Sequence, residues 1–179
     1  MNLSDAEMFE RMEEGWRGGL PCTVCGHGSL PEFTENARRV LPLWCEKYDL
    51  ESVCDAGAGD LKWRHEMEWN VDYTAYDLFP RHPSVQEWDI TAEPLPRCDL
   101  ILCRMVLNHI QPRVPQTLEL FKRSGAYLAA TQYAGDNLPQ RSKQFYRLDL
   151  RTWLGEPLEQ VQDGPEDFGM LALWRLDAI

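Results

Sequence analysis

The sequence of 179 residues lacks any apolar run of about 18 residues and any charged segment followed by an apolar leader. We therefore expect a soluble, cytoplasmic protein that makes no membrane contact. Basic residues are also scarce, because 18 Lys and Arg stand against 29 Asp and Glu and leave a net charge of −11. A chain with this charge repels polyanions at long range, which disfavours a general role in binding nucleic acids.

One region departs from this acidic balance. Residues 113–151 contain only three acids and seven basic residues: Arg113, Lys122, Arg123, Arg141, Lys143, Arg147 and Arg151. Such runs are usually solvated charged surface. The alternative is a local face that meets an anionic substrate.

Internal repeats and low-complexity segments are absent, and the length leaves room for one α/β domain but not for a second, substrate-binding domain. We expect a single domain over residues 1–179, with residues 1–28 as an N-terminal helix and loop extension. Within that extension, Leu3 to Trp16 has the pattern of an amphipathic helix with a capping box at its start.

A second C-x-x-C pair is also missing. Cys22 and Cys25, with His27, are legitimate zinc ligands, but a closed structural site needs a fourth ligand. The other four cysteines are too scattered to supply a matching pair. Zinc and two reduced loop cysteines are both open, and we favour the reduced cysteines and predict no metal.

The most informative stretch runs from Ser52 to Asp60. It has the pattern of a short buried strand, Ser52 to Ala56, then a glycine turn and a helix from Leu61 to Met67. Glycines at 57 and 59 lack a Cβ, so a ligand can approach the backbone. Amides at a helix N-terminus favour an anionic or hydrogen-bonding ligand.

The third glycine of the dinucleotide fingerprint G-x-G-x-x-G is absent, because Lys62 stands at its position. A nicotinamide-dependent oxidoreductase is therefore disfavoured. Asp55, Gly57 and Gly59 instead match the first motif of the class I S-adenosylmethionine-dependent methyltransferases, which the chain resembles here. Asp60 stands where that class often has a third glycine. Gly59-Asp60-Leu61-Lys62-Trp63 is similar to a small bacterial and phage-type subgroup.

The resemblance implies an α/β fold with a doubly wound, mostly parallel seven-stranded sheet and helices on both faces. A closing antiparallel hairpin is expected from Leu158 to Gln162 and from Met170 to Leu176. S-adenosylmethionine is the implied cofactor. The implied cofactor-binding residues are Asp55, Gly57, Gly59, Asp60, Asp77, Leu78, Asp89, Ile90 and Cys103.

Asp77 ends the predicted second strand, Asp72 to Asp77, where an acid can accept hydrogen bonds from both ribose hydroxyls. The alternative is an ordinary Asp in a turn. Leu78 is expected to pack on the adenine. In the resembled class, Asp89 meets the adenine amino group and Ile90 the ring, although Asp89 is also suited to cap a turn.

Arg104 and His109 follow a continuous apolar strand, Asp99 to Cys103, at its carboxyl end. The crevice of an open α/β sheet lies at that end, so both are candidates to face the transferred methyl group. Histidine titrates near neutral pH and is suited to act as general base. The alternative is a buried, structural His109.

Two flanking segments are also candidates for contact with ligand. Gly26 to Ser29 precedes a predicted helix whose apolar residues recur from Leu30 to Tyr48, and Ser29 with Glu32 has the form of a capping box. Gly26 to Ser29 is either a contact with cofactor or substrate or a simple turn, and Pro42 is expected to kink or split the helix. The polar connection 132–156 is expected to carry substrate specificity.

Motifs of the nucleic-acid enzymes in this class are absent. No Asp-Pro-Pro-Tyr or Pro-Cys follows the fourth predicted strand, where Cys103 and Arg104 stand. The expected methyl acceptor is therefore a small molecule or a protein rather than a nucleic acid. The alternatives are a non-catalytic module that binds adenosine or S-adenosylmethionine and, less favoured, the oxidoreductase.

Overall fold

The computed structural model describes residues 23, 25–65, 67–135, 137, 146–165 and 169–176. The predicted helix from Leu3 to Trp16 and the thiol of Cys22 lie outside these residues. Among the helices of the described part of the chain, none has the length and apolar character needed to span a bilayer.

The described residues build one seven-stranded sheet with the strand order β3-β2-β1-β4-β5-β7-β6. Strands β1 to β5 are parallel to one another, and β7 runs antiparallel to both β5 and β6. This confirms the predicted doubly wound sheet with its antiparallel C-terminal hairpin. The strands are β1 Ser52–Ala56, β2 Asp72–Asp77, β3 Val85–Glu87, β4 Cys98–Cys103, β5 Gly125–Gln132, β6 Glu159–Gln162 and β7 Met170–Arg175.

Both faces of the central strands are covered by helices, which explains why β4 is a continuous apolar run. Leu100 and Leu102 pack with helix α1, Pro31–Tyr48, on one face. Ile101 and Cys103 pack on the other face with helix α2, Val114–Lys122, and near the short helix α3, Arg151–Leu154. Alternate residues of one strand therefore contribute to two separate cores.

Helix α1 confirms the predicted helical spacing, but the predicted capping box is wrong. Ser29 ends a 3-10 turn, His27–Ser29, and the N-cap of the helix is Leu30, which makes no side-chain capping bond. Pro31 occupies the first turn, where a missing N–H costs little. Pro42 lies within the helix, which continues through it as one element.

The predicted helix after the glycine turn is also wrong. In the described residues 57–65, the helical structure is limited to a 3-10 turn, Lys62–Arg64. Leu61 has a φ of 61°, a left-handed conformation that cannot be part of a right-handed helix. The described residues 57–65 therefore lack the helix N-terminus expected behind the glycines.

Within the sheet, β2 and β3 lie on one flank of β1, whereas β4 lies on its other flank. The strand order therefore reverses direction between β1 and β4. Such a reversal creates a crevice at the carboxyl ends of the strands, and ligands bind there in open α/β sheets.

The predicted polar connection 132–156 is partly regular. It contains α3, and the Tyr146 N–H donates to the Asn108 carbonyl at 2.9 Å.

Candidate functional site

Gly57 and Gly59 give the turn after β1 its left-handed backbone, with φ values of 87° and 62°. A Cβ at Gly57 would lie 2.3 Å from the Val106 Cγ2, and one at Gly59 would lie 2.7 Å from the Cys25 Sγ. The space beside both glycines is thus filled by the chain itself. The glycines thus let the residues after β4 and the segment before α1 pack closely, and the approach of a ligand to the loop backbone stays a prediction.

The amides of the loop are bonded to the end of β2. The N–H groups of Gly57 and Ala58 donate to the Tyr76 carbonyl at 2.8 and 3.0 Å, and the Gly59 N–H donates to the Asp77 Oδ2 at 2.9 Å. These three amides are therefore bonded within the protein, and the role of Gly57 and Gly59 in cofactor binding stays a prediction. Their effect is to fix the loop and the Asp77 carboxylate relative to each other.

Asp77 is half-buried at the carboxyl end of β2, as the sequence predicted. Its Oδ2 accepts from Gly59 and its Oδ1 accepts from the Phe79 N–H at 3.0 Å. A carboxylate has about four acceptor positions, so each oxygen has capacity for one more donor. Two adjacent hydroxyl groups are the ligand chemistry that this fixed carboxylate fits, and the half-buried side chain of Leu78 stands next to it in the chain.

Asp55 lies beneath the glycine loop and is 2% exposed. Its Oδ2 accepts from the Trp63 Nε1 at 3.0 Å and from the Tyr73 hydroxyl. Burial raises the pKa of Asp55 to about 6, although these two hydrogen bonds oppose the rise. Its visible role is therefore to join β1, β2 and the turn after the loop.

Asp55→Asn is expected to remove a pH dependence of folding. Because the folded pKa is about 6 and the ordinary value is 3.8, the stability that this carboxyl supplies is complete below pH 3.8. It is lost as the pH rises through 6. The difference between these two pKa values corresponds to about 3 kcal/mol of folding free energy. Both donors meet one oxygen, so Asn can retain them.

Urea unfolding of wild type and Asp55→Asn between pH 4 and 8 measures this difference, because every other titrating group is common to both proteins. The wild type is expected to lose stability relative to the variant as the pH rises. Parallel stability curves would show that Asp55 titrates as an ordinary carboxyl.

Gly57→Ala is expected to lower the free energy of unfolding by about 1 to 3 kcal/mol more than Gly155→Ala, the usual cost of overpacking. Both glycines have positive φ, but no atom of the described part of the chain lies within 4 Å of a Cβ at Gly155. The backbone strain is therefore shared, and only Gly57→Ala collides with Val106. Chemical denaturation of both variants gives the difference, and equal losses would mean that Val106 moves aside without cost.

The remaining predicted cofactor residues are distributed around the same edge of the sheet. The Asp60 Oδ1 accepts from the Lys62 N–H at 3.2 Å, and its Oδ2 accepts from the Thr23 hydroxyl at 2.8 Å. The Asp89 Oδ1 accepts from both the N–H and the hydroxyl of Thr91, at 2.8 and 2.7 Å. Asp89 thus makes the turn-capping contact that was given above as the alternative to a contact with adenine. Its Oδ2 takes no part in the bonds to Thr91.

Ile90 and Cys103 are buried in the core between the sheet and α2, at 8% and 1% exposure. Burial raises the pKa of the Cys103 thiol. A neutral, buried thiol is apolar packing rather than a nucleophile. Any contribution of these two side chains to a ligand site is therefore one of shape.

Arg104 is almost fully bonded to the protein. Its Nε donates to the Asp163 Oδ1 at 2.9 Å, its Nη2 donates to the Phe33 carbonyl at 2.8 Å, and its Nη1 donates to the Gly28 carbonyl. The side chains of Arg104 and Asp163 are 7% and 0% exposed. This arrangement favours a positioning role over the predicted contact with a transferred methyl group.

His109 lies in a 3-10 turn, Leu107–His109, that follows β4 at the carboxyl edge. The Asn108 Nδ2 donates to the His109 Nε2 at 3.1 Å, which requires the tautomer that carries the proton on Nδ1. The Asn108 side chain is buried, and its Oδ1 has no hydrogen-bond partner among the described residues. The half-buried His109 is placed where the sequence predicted, and its role as a base stays a prediction.

Several residues that build the site were missed by the sequence reasoning. Trp63 belongs to a motif that carried the resemblance, but nothing in the sequence linked its indole to Asp55. Thr23, Tyr73 and Asp163 carried no local signal, because each meets a partner distant in the chain: Asp60, Asp55 and Arg104.

Cys25 is half-buried, and burial followed by the charge of Asp60 raises the pKa of its thiol to about 12. The residues that the structure describes contain no group of three His, Cys, Asp or Glu side chains able to hold a metal ion. Cys22, which belongs to the alternative zinc set, lies outside them.

Two of the five described basic residues of the stretch 113–151, Lys122 and Arg151, form ion pairs with acids. Lys122 bonds Glu119 at 2.7 Å, and Arg151 bonds Asp149 at 2.6 Å. Arg113 contacts the Thr91 hydroxyl at 3.5 Å. These contacts favour a charged surface over an anion-binding face, while Arg141 and Lys143 lie outside the described residues.

Solved structures share this fold. The N-methyltransferase NodS from Bradyrhizobium japonicum WM9, in complex with S-adenosyl-L-homocysteine, superposes with a TM-score of 0.65 at 14% identity, covering 94% of this chain and 98% of that one. A second structure is the 1,6-didemethyltoxoflavin-N1-methyltransferase of Burkholderia thailandensis with bound 1,6-didemethyltoxoflavin and S-adenosylhomocysteine. It superposes with a TM-score of 0.60 at 16% identity, covering 82% of this chain and 79% of that one.

Human N-acetylserotonin methyltransferase in complex with SAM gives a TM-score of 0.54 at 14% identity, covering 80% of this chain and 54% of that one. At these identities the likeness shows a common fold. A search of curated protein sequences finds no match. Residues 31–154, well over half of the chain, match the profile of the family described as "Methyltransferase domain". The chain is therefore a member of the methyltransferase domain family.

Proposed function

We propose that the protein is an S-adenosylmethionine-dependent methyltransferase. The observation that carries the proposal is the Asp77 carboxylate, which the amides of Gly59 and Phe79 fix beside the glycine loop at the crevice of the sheet. The structural neighbours crystallised with S-adenosylmethionine or S-adenosylhomocysteine support the same cofactor.

The donor and acceptor groups of the site fit such a ligand. Asp77 has one remaining acceptor position on each oxygen for the two ribose hydroxyls, and Leu78 and Ile90 supply apolar surface for the base. Asp89 uses its Oδ1 for Thr91, so its Oδ2 can accept from an exocyclic amino group. The fit thus depends on side chains at the ends of β2 and β3 rather than on the loop amides.

When bound, the cofactor supplies an activated methyl group that an acceptor O, N or S atom attacks in line. Because the reactivity resides in the cofactor, the protein contributes chiefly orientation and exclusion of water. His109, at the carboxyl end of β4, is our candidate to take a proton from the acceptor. Arg104 is assigned a positioning role, through its bonds to Gly28, Phe33 and Asp163.

The acceptor we propose is a small molecule or a protein. The net charge of −11 opposes the approach of nucleic acid, and Lys122 and Arg151 of the basic stretch 113–151 are paired with acids. We retain the small bacterial and phage-type subgroup and a cytoplasmic location as proposals, the first on the motif from Gly59 to Trp63.

Incubation with S-adenosylmethionine that carries a labelled methyl group tests catalysis. Small-molecule, protein and nucleic-acid pools are offered as acceptors, and label is expected in the first or second pool. Label in nucleic acid would contradict the proposed acceptor class. Cofactor binding without transfer to any pool would favour the non-catalytic module.

A further inference from the structure

Asn108 and His109 form a side-chain pair in the turn that follows β4. Asn108 is 2% exposed, and its Nδ2 donates to the His109 Nε2 at 3.1 Å. The backbone carbonyl of Asn108 accepts from the Tyr146 N–H at 2.9 Å, so the turn is also bonded to the polar connection 132–156. Asn108 is therefore fixed in the fold, and the His109 ring is bonded to it at one of its two nitrogens.

The turn that carries this pair lies against the glycine loop. Val106 immediately precedes the turn Leu107–His109, and its side chain fills the space beside Gly57. The Gly59 N–H of the same loop donates to the Asp77 carboxylate. The pair is thus built onto the edge of the sheet where the strand order reverses.

The two protonation states of His109 need opposite partners at Nε2. In the neutral ring bonded to Asn108, Nε2 accepts and the proton lies on Nδ1, because the hydrogen bond at one nitrogen sets the tautomer. In the charged ring both nitrogens carry a proton, so Nε2 becomes a donor and no longer fits the Asn108 Nδ2.

The Asn108 carboxamide holds the partner that the charged ring needs. Its Oδ1 is buried and has no hydrogen-bond partner in the part of the chain that the structure describes. A half-turn about the Cβ–Cγ bond exchanges Oδ1 and Nδ2, which are of similar size, and places the oxygen at Nε2 without repacking. One side chain can therefore bond both protonation states of the ring.

We propose that Asn108 is the positioning residue of His109: its Nδ2 sets the tautomer of the neutral ring, and its Oδ1 accepts from Nε2–H in the charged ring. The inference rests on the proposed function, in which His109 takes a proton from the acceptor. The electron pair of the acceptor atom forms the bond to the methyl group, and the electrons of the broken carbon–sulfur bond stay on the sulfur. The proton that leaves the acceptor becomes the second ring proton, and the charge-assisted bond to Oδ1 stabilises the product ring.

NMR of protein with 15N-labelled histidine tests the inference, because the ring nitrogen shifts report the tautomer. Asn108→Leu removes donor and acceptor, whereas Asn108→Asp keeps an acceptor only. Alkaline and mildly acidic solutions show the neutral and the charged ring, and His109→Gln identifies the His109 signals. His82 is the internal control: its Nδ1 accepts from the Ser84 N–H at 3.1 Å, so its proton lies on Nε2.

Neutral wild-type His109 is expected to carry its proton on Nδ1, Asn108→Asp on Nε2, and Asn108→Leu a mixture of the two, while His82 stays the same in all three. In the charged ring, the Nε2–H of wild type is expected to exchange with water about 10-fold or more slowly than in Asn108→Leu, in line with a hydrogen bond to a charged group. Circular dichroism shows whether each variant is folded.

A neutral wild-type ring with its proton on Nε2 would overturn the inference without any variant. The wild-type tautomer and exchange rate in folded Asn108→Leu would overturn it as well. Both results leave the proposed function intact. Failure of wild type to bind S-adenosylhomocysteine in calorimetry would overturn the proposed function and the inference together.

Discussion

Arg104→Met is expected to lower the free energy of unfolding by about 3 to 5 kcal/mol, the usual cost of breaking a buried ion pair by removing one partner. The substitution would leave the Asp163 carboxylate, which is 0% exposed, without its cation. It would also leave the carbonyls of Gly28 and Phe33 without the donor that they have in wild type. Urea denaturation at neutral pH measures the loss.

The double variant Arg104→Met/Asp163→Leu is expected to recover much of this loss, because it removes the uncompensated charge. Recovery should be incomplete, since the two carbonyl bonds stay broken. Lys47→Met is the control: it breaks an exposed ion pair with Glu159, and such pairs contribute little. A loss for Arg104→Met no larger than that for Lys47→Met would contradict the positioning role of Arg104.

Asp77→Ala is expected to weaken binding of S-adenosylhomocysteine about 10- to 150-fold, as expected for loss of hydrogen bonds to a charged group. The carboxylate is fixed by Gly59 and Phe79 before any ligand arrives, so no ordering cost reduces its contribution. Isothermal titration calorimetry gives the affinity, and thermal unfolding gives the accompanying change in stability.

Asp72→Ala is the matched control, because Asp72 is an exposed aspartate at the opposite end of the same strand. It should bind S-adenosylhomocysteine as wild type does. If Asp77→Ala melts at a lower temperature but keeps wild-type affinity, Asp77 serves only to hold the loop.

The sheet was predictable because its central strands β1 and β4 are buried runs that end at clear turn signals. The sequence bounds of β1 and β2 are those of the structure, and β4 begins at Cys98, one residue before its predicted start. Asp77 was identified because its position at a strand end follows from chain spacing alone. Its two amide bonds were not foreseen, since they depend on the fold of the loop.

The errors arose where tertiary contacts overrode local pattern. A helix after the glycine turn was expected from the sequence, but Leu61 adopts a left-handed backbone and Asp60 caps a tighter turn. Ser29 had the form of a cap, yet Arg104 holds the Gly28 carbonyl and the helix begins one residue later than a Ser29 cap implies. The Arg104–Asp163 pair joins residues 59 positions apart, a contact that local periodicity cannot reveal.

Titration calorimetry of the wild-type protein with S-adenosylhomocysteine, run in parallel with NAD, tests the cofactor assignment most directly. We expect saturable one-to-one binding of S-adenosylhomocysteine, a matching rise in melting temperature, and no heat with NAD. A folded protein that binds NAD, or that binds neither compound, would contradict the assignment.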